Sequence, residues 1–243
     1  MERNRNSRRW TLYGVGIVLL QAGLLAGCDR SAEAPTPAPT ANAVASVAAT
    51  PAPKGPPKLI LAFGDSLYAG YGLDRGRSLP DAVQARLRRD GINATIVNAG
   101  VSGDTSAAGR QRFAFALDNM ARKPDLVLIG LGGNDVLRQI SPAETRANMT
   151  AMMDEAKRRG VPVMLTGMMA PPNLGPDYTS QFNGIWPDLA KRYHAAIYPF
   201  ILDGVIGNQR LMQADRVHPN PTGVARIAAR VAPVVETALG KVR

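Results

Sequence analysis

The sequence predicts an α/β fold built on a parallel sheet, and three observations predict it. From Lys58 onward, short apolar runs alternate with longer amphipathic segments. The apolar runs lack polar alternation, as strands covered on both faces do. The helical segments between them span about 10–18 residues, long enough for the right-handed crossovers that join parallel neighbours.

The elements follow in order. Leu59–Phe63 is a short apolar strand ending in Gly64. Leu79, Val83 and Leu87 share one face of a helix over Leu79–Asp90, which stops before Gly91. Ala94–Asn98 is the second strand, Ala107–Met120 the second helix, and Asp125–Leu131 the clearest buried strand. Ser141-Pro142-Ala143-Glu144 opens the next helix with Ser at the N-cap, Pro at N1 and Glu at N3, the pattern of a capping box. That helix runs to Arg159 and stops at Gly160. Val161–Met168 is the fourth strand, Tyr178–Tyr193 the fourth helix and Ala196–Phe200 a short fifth strand; Asn220 caps a last helix from Pro221 to about Leu239. Sites in such sheets lie at the carboxyl ends of the strands. The polar clusters of this chain fall there or just before the last helix.

The amino terminus has another character. Met1–Arg9 is basic, Trp10–Ala26 is apolar and uncharged, and Leu25-Ala26-Gly27-Cys28 resembles the lipobox of bacterial lipoproteins. An apolar run of 17 residues is short for a bilayer span and fits an export signal better. The alternative is an uncleaved anchor with a buried Cys. The resemblance implies a signal peptide over 1–27, cleavage before Cys28 and lipidation of that residue, hence a membrane partner. Ser7-Arg8-Arg9-Trp10-Thr11-Leu12 also resembles a twin-arginine export motif. Asp29 resembles the signal that retains lipoproteins on the inner membrane, so a periplasmic-side, inner-membrane location is expected. Residues 28–57 hold seven prolines among Ala and Thr. They cannot bury enough apolar surface to fold, and read as an extended tether to a domain over 58–243.

Composition excludes several classes. One cysteine permits no internal disulfide and no Cys-based zinc site, and two histidines argue against a His-rich metal site. The net charge of +10 includes +3 from the leader. The remainder shows no dense Lys/Arg run and no interleaved aromatics, so nucleic acid is not an expected partner. Weak attraction to anionic membranes is the better reading of the charge.

Histidine chemistry must run through His194 or His218. His194 ends a helix and reads as a packing or surface residue. His218 follows Asp215 by three residues, so the carboxylate can fold back onto Nδ1 and leave Nε2 as a base. Spacing alone does not separate this from a chance pair. Two serines compete as nucleophile: Ser66, after the first strand in Gly64-Asp65-Ser66-Leu67, and Ser102, in Gly100-Val101-Ser102-Gly103-Asp104. Ser66 sits near a helix start, where backbone N–H groups meet developing negative charge. Neither serine lies in a G-x-S-x-G elbow. Gly132-Gly133-Asn134-Asp135 closes the third strand and offers a side-chain amide at Asn134.

Taken together these residues resemble the GDSL, or SGNH, hydrolase family. Gly64-Asp65-Ser66-Leu67 is similar to its first block and Asn98–Ser106 to its second. Gly132-Gly133-Asn134-Asp135 is similar to the third, and Asp215-x-x-His218-Pro219 to the fifth. The resemblance covers 58–243 in the family's order. It implies a flavodoxin-like three-layer α/β/α sandwich with a five-stranded parallel sheet. It also implies Ser66 as nucleophile, His218 as base and Asp215 as its orienter. The oxyanion hole would be the N–H groups of Ser66 and Gly103 with the Asn134 amide. Ester and thioester hydrolysis through an acyl-enzyme, without metal or organic cofactor, is the implied activity. The stretches around Gly132–Arg138 and Met169–Gly175 are similar to the thioesterase I/lysophospholipase L1-like and arylesterase subgroup. Val136 departs from it by replacing a glycine. A cell-envelope carbohydrate deacetylase and a non-catalytic binding lipoprotein are the alternatives. Met168 and Met169 line an acyl groove or fill the core; Met149, Met152 and Met153 read as core. Arg110 and Arg112 read as a solvated face or as steering charges.

Overall fold

A strand inside a parallel sheet must find cover on both faces, and the first strand shows how this chain supplies it. In the computed structural model, which describes Pro53 and residues 55–240, β1 (Lys58–Gly64) sends Ile60 and Ala62 to one face and Leu61 and Phe63 to the other. All four are buried. The signal segment, Cys28 and the linker before Pro53 lie outside the described residues.

β2 (Ala94–Gly100), β3 (Leu126–Gly130), β4 (Val163–Thr166) and β5 (Ala196–Tyr198) complete a sheet of order β2-β1-β3-β4-β5. Every neighbouring pair is parallel. β1 therefore has β2 on one flank and β3 on the other, and the direction of winding reverses between β1 and β3. That reversal opens a crevice at their carboxyl ends.

The helices segregate by face. α2 (Leu79–Arg89) and α8 (Pro221–Gly240) bury Leu79, Val83, Leu87, Val224, Ile227 and Val231 against Ile60, Leu126, Leu128 and Met164. On the opposite face α3 (Ser106–Asp118), α5 (Pro142–Arg158) and α7 (Ile185–Tyr193) cover Leu61, Phe63, Val127, Ile129 and Leu165. Phe63 and Phe113 meet edge to face with centroids 5.0 Å apart. Met149, Met152 and Met153 are buried in this second layer, as expected. Each fully buried side chain of this size contributes roughly 1.5–3 kcal/mol. The result is the expected three-layer sandwich.

Three features depart from the sequence reading. The helix expected over Tyr178–Tyr193 is two helices, α6 (Pro176–Asn183) and α7, joined at Gly184. Pro187 has no N–H to return to the Asn183 carbonyl, so the ladder cannot run through. The capping box at Ser141 is half made: Ser141 Oγ accepts from the Glu144 N–H at 3.2 Å, while the reciprocal box forms instead at Ser78 and Asp81. Two short helices went unread, α1 (Ser66–Ala69) and α4 (Gly133–Leu137), each directly after a strand at the crevice.

Candidate active site

The first wall of the crevice is built by β1 and its turn. A Cβ at Gly64 would fall 2.7 Å from the Gly130 carbonyl oxygen and against the Tyr68 ring, so only glycine lets α1 tuck over the strand ends. Tyr68 is buried beneath α1, and its hydroxyl hydrogen-bonds Thr166 Oγ1 at 3.0 Å. Asp65 is the N-cap: its carboxylate accepts from the Leu67 N–H at 3.1 Å. Ser66 is thus the first residue of α1, and its own N–H has no acceptor among the described residues.

The loop before α8 brings the imidazole to that serine. His218 Nε2 lies 2.9 Å from Ser66 Oγ, and Nδ1 lies 2.7 Å from Asp215 Oδ2. The other Asp215 oxygen accepts from the backbone N–H groups of Val217 and His218 at 2.9 and 3.0 Å. Burial pushes this carboxyl up, but bonds from the His218 N–H, the imidazole and the Val217 N–H outweigh that and hold it at about 2. Asp215 is a fixed anion facing Nδ1. Asn220 Oδ1 accepts from the N–H groups of Thr222 and Gly223, both at 3.0 Å, and so starts α8 as predicted.

Two residues that steady this loop were not singled out from the sequence. Gln213 donates its amide to the carbonyls of Tyr71 and Pro219 at 2.8 and 3.0 Å. The Tyr71 ring lies against the imidazole with centroids 4.5 Å apart. Neither carries a local signal, because the contacts joining Tyr71 to this loop span about 140 residues or more of sequence.

The opposite wall comes from the ends of β2 and β3. Asn134 Nδ2 donates one hydrogen to the Asp104 carbonyl at 3.0 Å, and its second hydrogen has no acceptor among the described residues. Arg138 bonds the Gly103 carbonyl at 3.0 Å, while the Gly103 N–H has no acceptor among the described residues. Behind them Asp135, wholly buried, accepts from the Ser106 N–H at 2.8 Å, from Ser106 Oγ, and from Thr145 Oγ1 at 2.9 Å. That carboxylate pins the start of α3 to α4 and α5.

Arg112 is neither a solvated face nor a steering charge. Its guanidinium bonds Asp104 at 2.6 Å, the Ala99 carbonyl at 2.8 Å and the Gly64 carbonyl at 3.0 Å, and stacks over Phe63 at 4.0 Å. It ties the ends of β1 and β2 to the loop carrying Gly103. Arg110 bonds Asn148 of the buried network at 3.3 Å.

A cavity of about 390 Å³ opens at this point. Ser66, Asn134 and His218 line it with Leu67, Val136, Leu137, Met168, Met169, Phe200, Leu202 and Ile206. Gly103 is not in the lining; Arg138 holds its carbonyl, and Asn134 holds that of its neighbour Asp104. Met168 both lines the cavity and packs on the core, whereas Met169 is half exposed at its mouth, so both readings of the methionine pair hold in part. Ser102 lies exposed on the turn after β2 and is not the hydroxyl beside His218. His194 ends α7 in a left-handed conformation and lines a different cavity at the amino ends of β3, β4 and β5.

Asp65 adds an electrostatic feature. Burial pushes its carboxyl up to about 6; the Leu67 N–H and His218 oppose this, and Asp135 and Asp104 add to it. A protonatable acid therefore sits beneath the serine.

A serine, an imidazole and a carboxylate in one hydrogen-bonded line, at the switch point of a doubly wound sheet, define an ester-bond hydrolase of α/β architecture. The GDSL-like Lipase/Acylhydrolase family matches residues 62–226, and the chain belongs to that family. It is similar to Esterase TesA of Pseudomonas aeruginosa, 39% identical over 180 residues covering 74% of this chain and 89% of that one. It is also similar to Thioesterase 1/protease 1/lysophospholipase L1 of Escherichia coli K12, 33% identical over 66% of this chain and 75% of that protein. Among solved structures it resembles AlinE4, an SGNH-hydrolase family esterase, with a TM-score of 0.65 and 50% identity across 76% of this chain and 98% of that one.

Proposed function

We propose that Ser66 is the nucleophile of an acyl-enzyme mechanism, with His218 as general base and Asp215 as its orienter. The observation that carries this reading is the unbroken line Ser66–His218–Asp215, with links of 2.9 and 2.7 Å. The imidazole takes the Oγ proton as the serine attacks the acyl carbonyl. Asp215 holds the ring's tautomer and balances the imidazolium. The Ser66 and Gly103 N–H groups and the spare hydrogen of the Asn134 amide receive the developing oxyanion; donors of this kind are each worth about 2.7–4 kcal/mol when removed. His218 then protonates the leaving group, and water repeats the cycle on the acyl-serine.

The substrates are acyl esters and thioesters with an apolar acyl chain. The names of the relatives support both leaving groups. The lining by Leu67, Val136, Leu137, Met168 and Phe200 supports an acyl chain over a glycan, which would need polar partners along the groove. Val136 fills part of the site with a branched side chain, which supports a restricted acyl length. The signal pattern and Cys28 support an extracytoplasmic lipoprotein, with the domain tethered to the membrane by the linker.

Hydrolysis of a p-nitrophenyl ester series from acetyl to dodecanoyl, by the wild type and Ser66→Ala, tests the mechanism. Activity rising through medium chains and vanishing in the variant is expected. Turnover that survives the substitution would refute the assignment of Ser66.

A further inference from the structure

One side chain at the mouth of this cavity serves no purpose in the mechanism above. Arg216 stands between Asp215 and His218, with φ of 59°. L-residues other than Asn and Asp are strained in this left-handed region, where glycine is free of strain. Only two other non-glycine residues among the described ones share this sign of φ, Gln139 and His194. Both lie just past helix ends, α4 and α7, where left-handed residues terminate a helix.

Arg216 has no such excuse. Its conformation is imposed by the turn that serves His218: Asp215 accepts from the Val217 and His218 N–H groups, and the Arg216 N–H bonds the Gln213 carbonyl at 3.0 Å. Glycine would suit this turn better, yet a long cation occupies it. Strain kept at a site in this way points to use of the side chain.

The chemistry around it narrows that use. Arg216 is exposed and lines the cavity, and its guanidinium has no ion-pair or hydrogen-bond partner among the described residues. The other charged groups around the site are already committed: Arg138 to Gly103, Arg112 to Asp104, and Asp215 to His218. The rest of the lining is apolar apart from Asp65, Ser66, Asn134 and His218. A guanidinium at the rim of a largely apolar site, with no carboxylate bonded to it among the described residues, is a receptor for an anion. It rides on the loop that presents His218, and that imidazole must reach the leaving oxygen to protonate it.

We propose that Arg216 is a specificity-determining residue that selects esters whose leaving group carries an anionic phosphate close to the scissile bond. This deepens the acyl-ester reading and rests on it. A glycerol phosphate leaving group places its charge a few bonds from the ester oxygen, within reach of an arginine on the same loop as the base. A charge at the far end of a long, flexible carrier does not.

Octanoylglycerol and octanoylglycerol 3-phosphate, both below their aggregation concentrations, test this with one acyl chain and two charges. The readout is the ratio of kcat/KM for the phosphate over the neutral ester, in which any loss of active protein cancels. A charge-assisted bond of about 1.5–3 kcal/mol predicts a wild-type ratio of about 10–160 at low ionic strength, falling with added salt. Arg216→Gly should bring the ratio to about one and Arg216→Glu below it. Arg216→Gly should also melt no lower than the wild type, since glycine accepts the turn. A wild-type ratio near one, or a preference that survives Arg216→Gly, overturns the proposal. p-Nitrophenyl octanoate, assayed on the same preparations, reports on the esterase chemistry by itself. A wild type that cleaves it while showing no preference keeps the esterase reading and loses this one.

Discussion

At the residue scale, Asp65 carries the sharpest consequence. Its carboxyl sits at about 6 in the folded protein against an ordinary value of 3.8, with burial as the first cause. Between these values the folded state holds a proton that the unfolded chain has released. The stabilisation from this group is therefore complete below about pH 4 and is lost as pH rises through about 6. Asn can keep the N-cap bond to Leu67 without the charge. Chemical denaturation at pH 4 and pH 7 should show the Asp65→Asn variant gaining on the wild type by about 2–3 kcal/mol across that range. An unchanged difference between the two pH values would contradict the buried-acid reading. The same residue shows what sequence conveys and what it hides. Gly64-Asp65-Ser66-Leu67 and Asp215-x-x-His218 offered a candidate nucleophile and a candidate base because both patterns are local, and the order of the blocks along the chain singled them out. That Asp65 is buried, or that Tyr71 and Gln213 brace the imidazole, depends on chain segments far apart in sequence.

At the scale of elements, the strands and long helices were legible because their apolar periodicity states which face is covered. α1 and α4 were not, since helices of four and five residues leave no periodic signal. The break at Gly184 was legible in principle from Pro187, whose missing N–H decides it. Arg112 was the larger omission: on paper it is one more arginine on an exposed helix, and only the side-by-side ends of β1 and β2, with Asp104 in the loop that follows, give it three acceptors. Arg112→Met should cost about 2–4 kcal/mol in urea unfolding, because a partly buried carboxylate and two carbonyls lose their donor. Its kcat toward a p-nitrophenyl ester should fall as well, through the displaced Gly103 loop. Arg112→Lys should recover less than half of either, as a single ammonium cannot span three acceptors in a fixed plane. Full recovery by Lys would reduce Arg112 to a simple charge.

At the scale of the whole molecule, the change of composition near Lys58 coincides with the start of the first strand. The last linker residues are stapled to the domain: Asn93 donates to the Gly55 carbonyl at 3.3 Å and Arg122 to the Pro57 carbonyl at 3.0 Å. Every residue placed in the proposed mechanism follows them. A chain beginning at Gly55 should therefore fold and show unchanged kcat/KM toward soluble esters, while losing membrane attachment in a flotation assay. A folded but inactive chain of that length would show that the leader region contributes to the site.

The position of β1, paired on both flanks, gives the two halves of the proposed machinery unequal security. Ser66 hangs from an interior strand of the sheet, and strands of this kind open at free energies close to that of global unfolding. His218 is carried by an irregular arm fastened through Gln213, Asn220 and a single pair of bridged residues, Met212 and Pro219. Local opening of such an arm requires far less free energy than global unfolding. Warming therefore parts the imidazole from the serine while the sandwich is still intact, and the heat tolerance of turnover is set by the arm, below that of the fold.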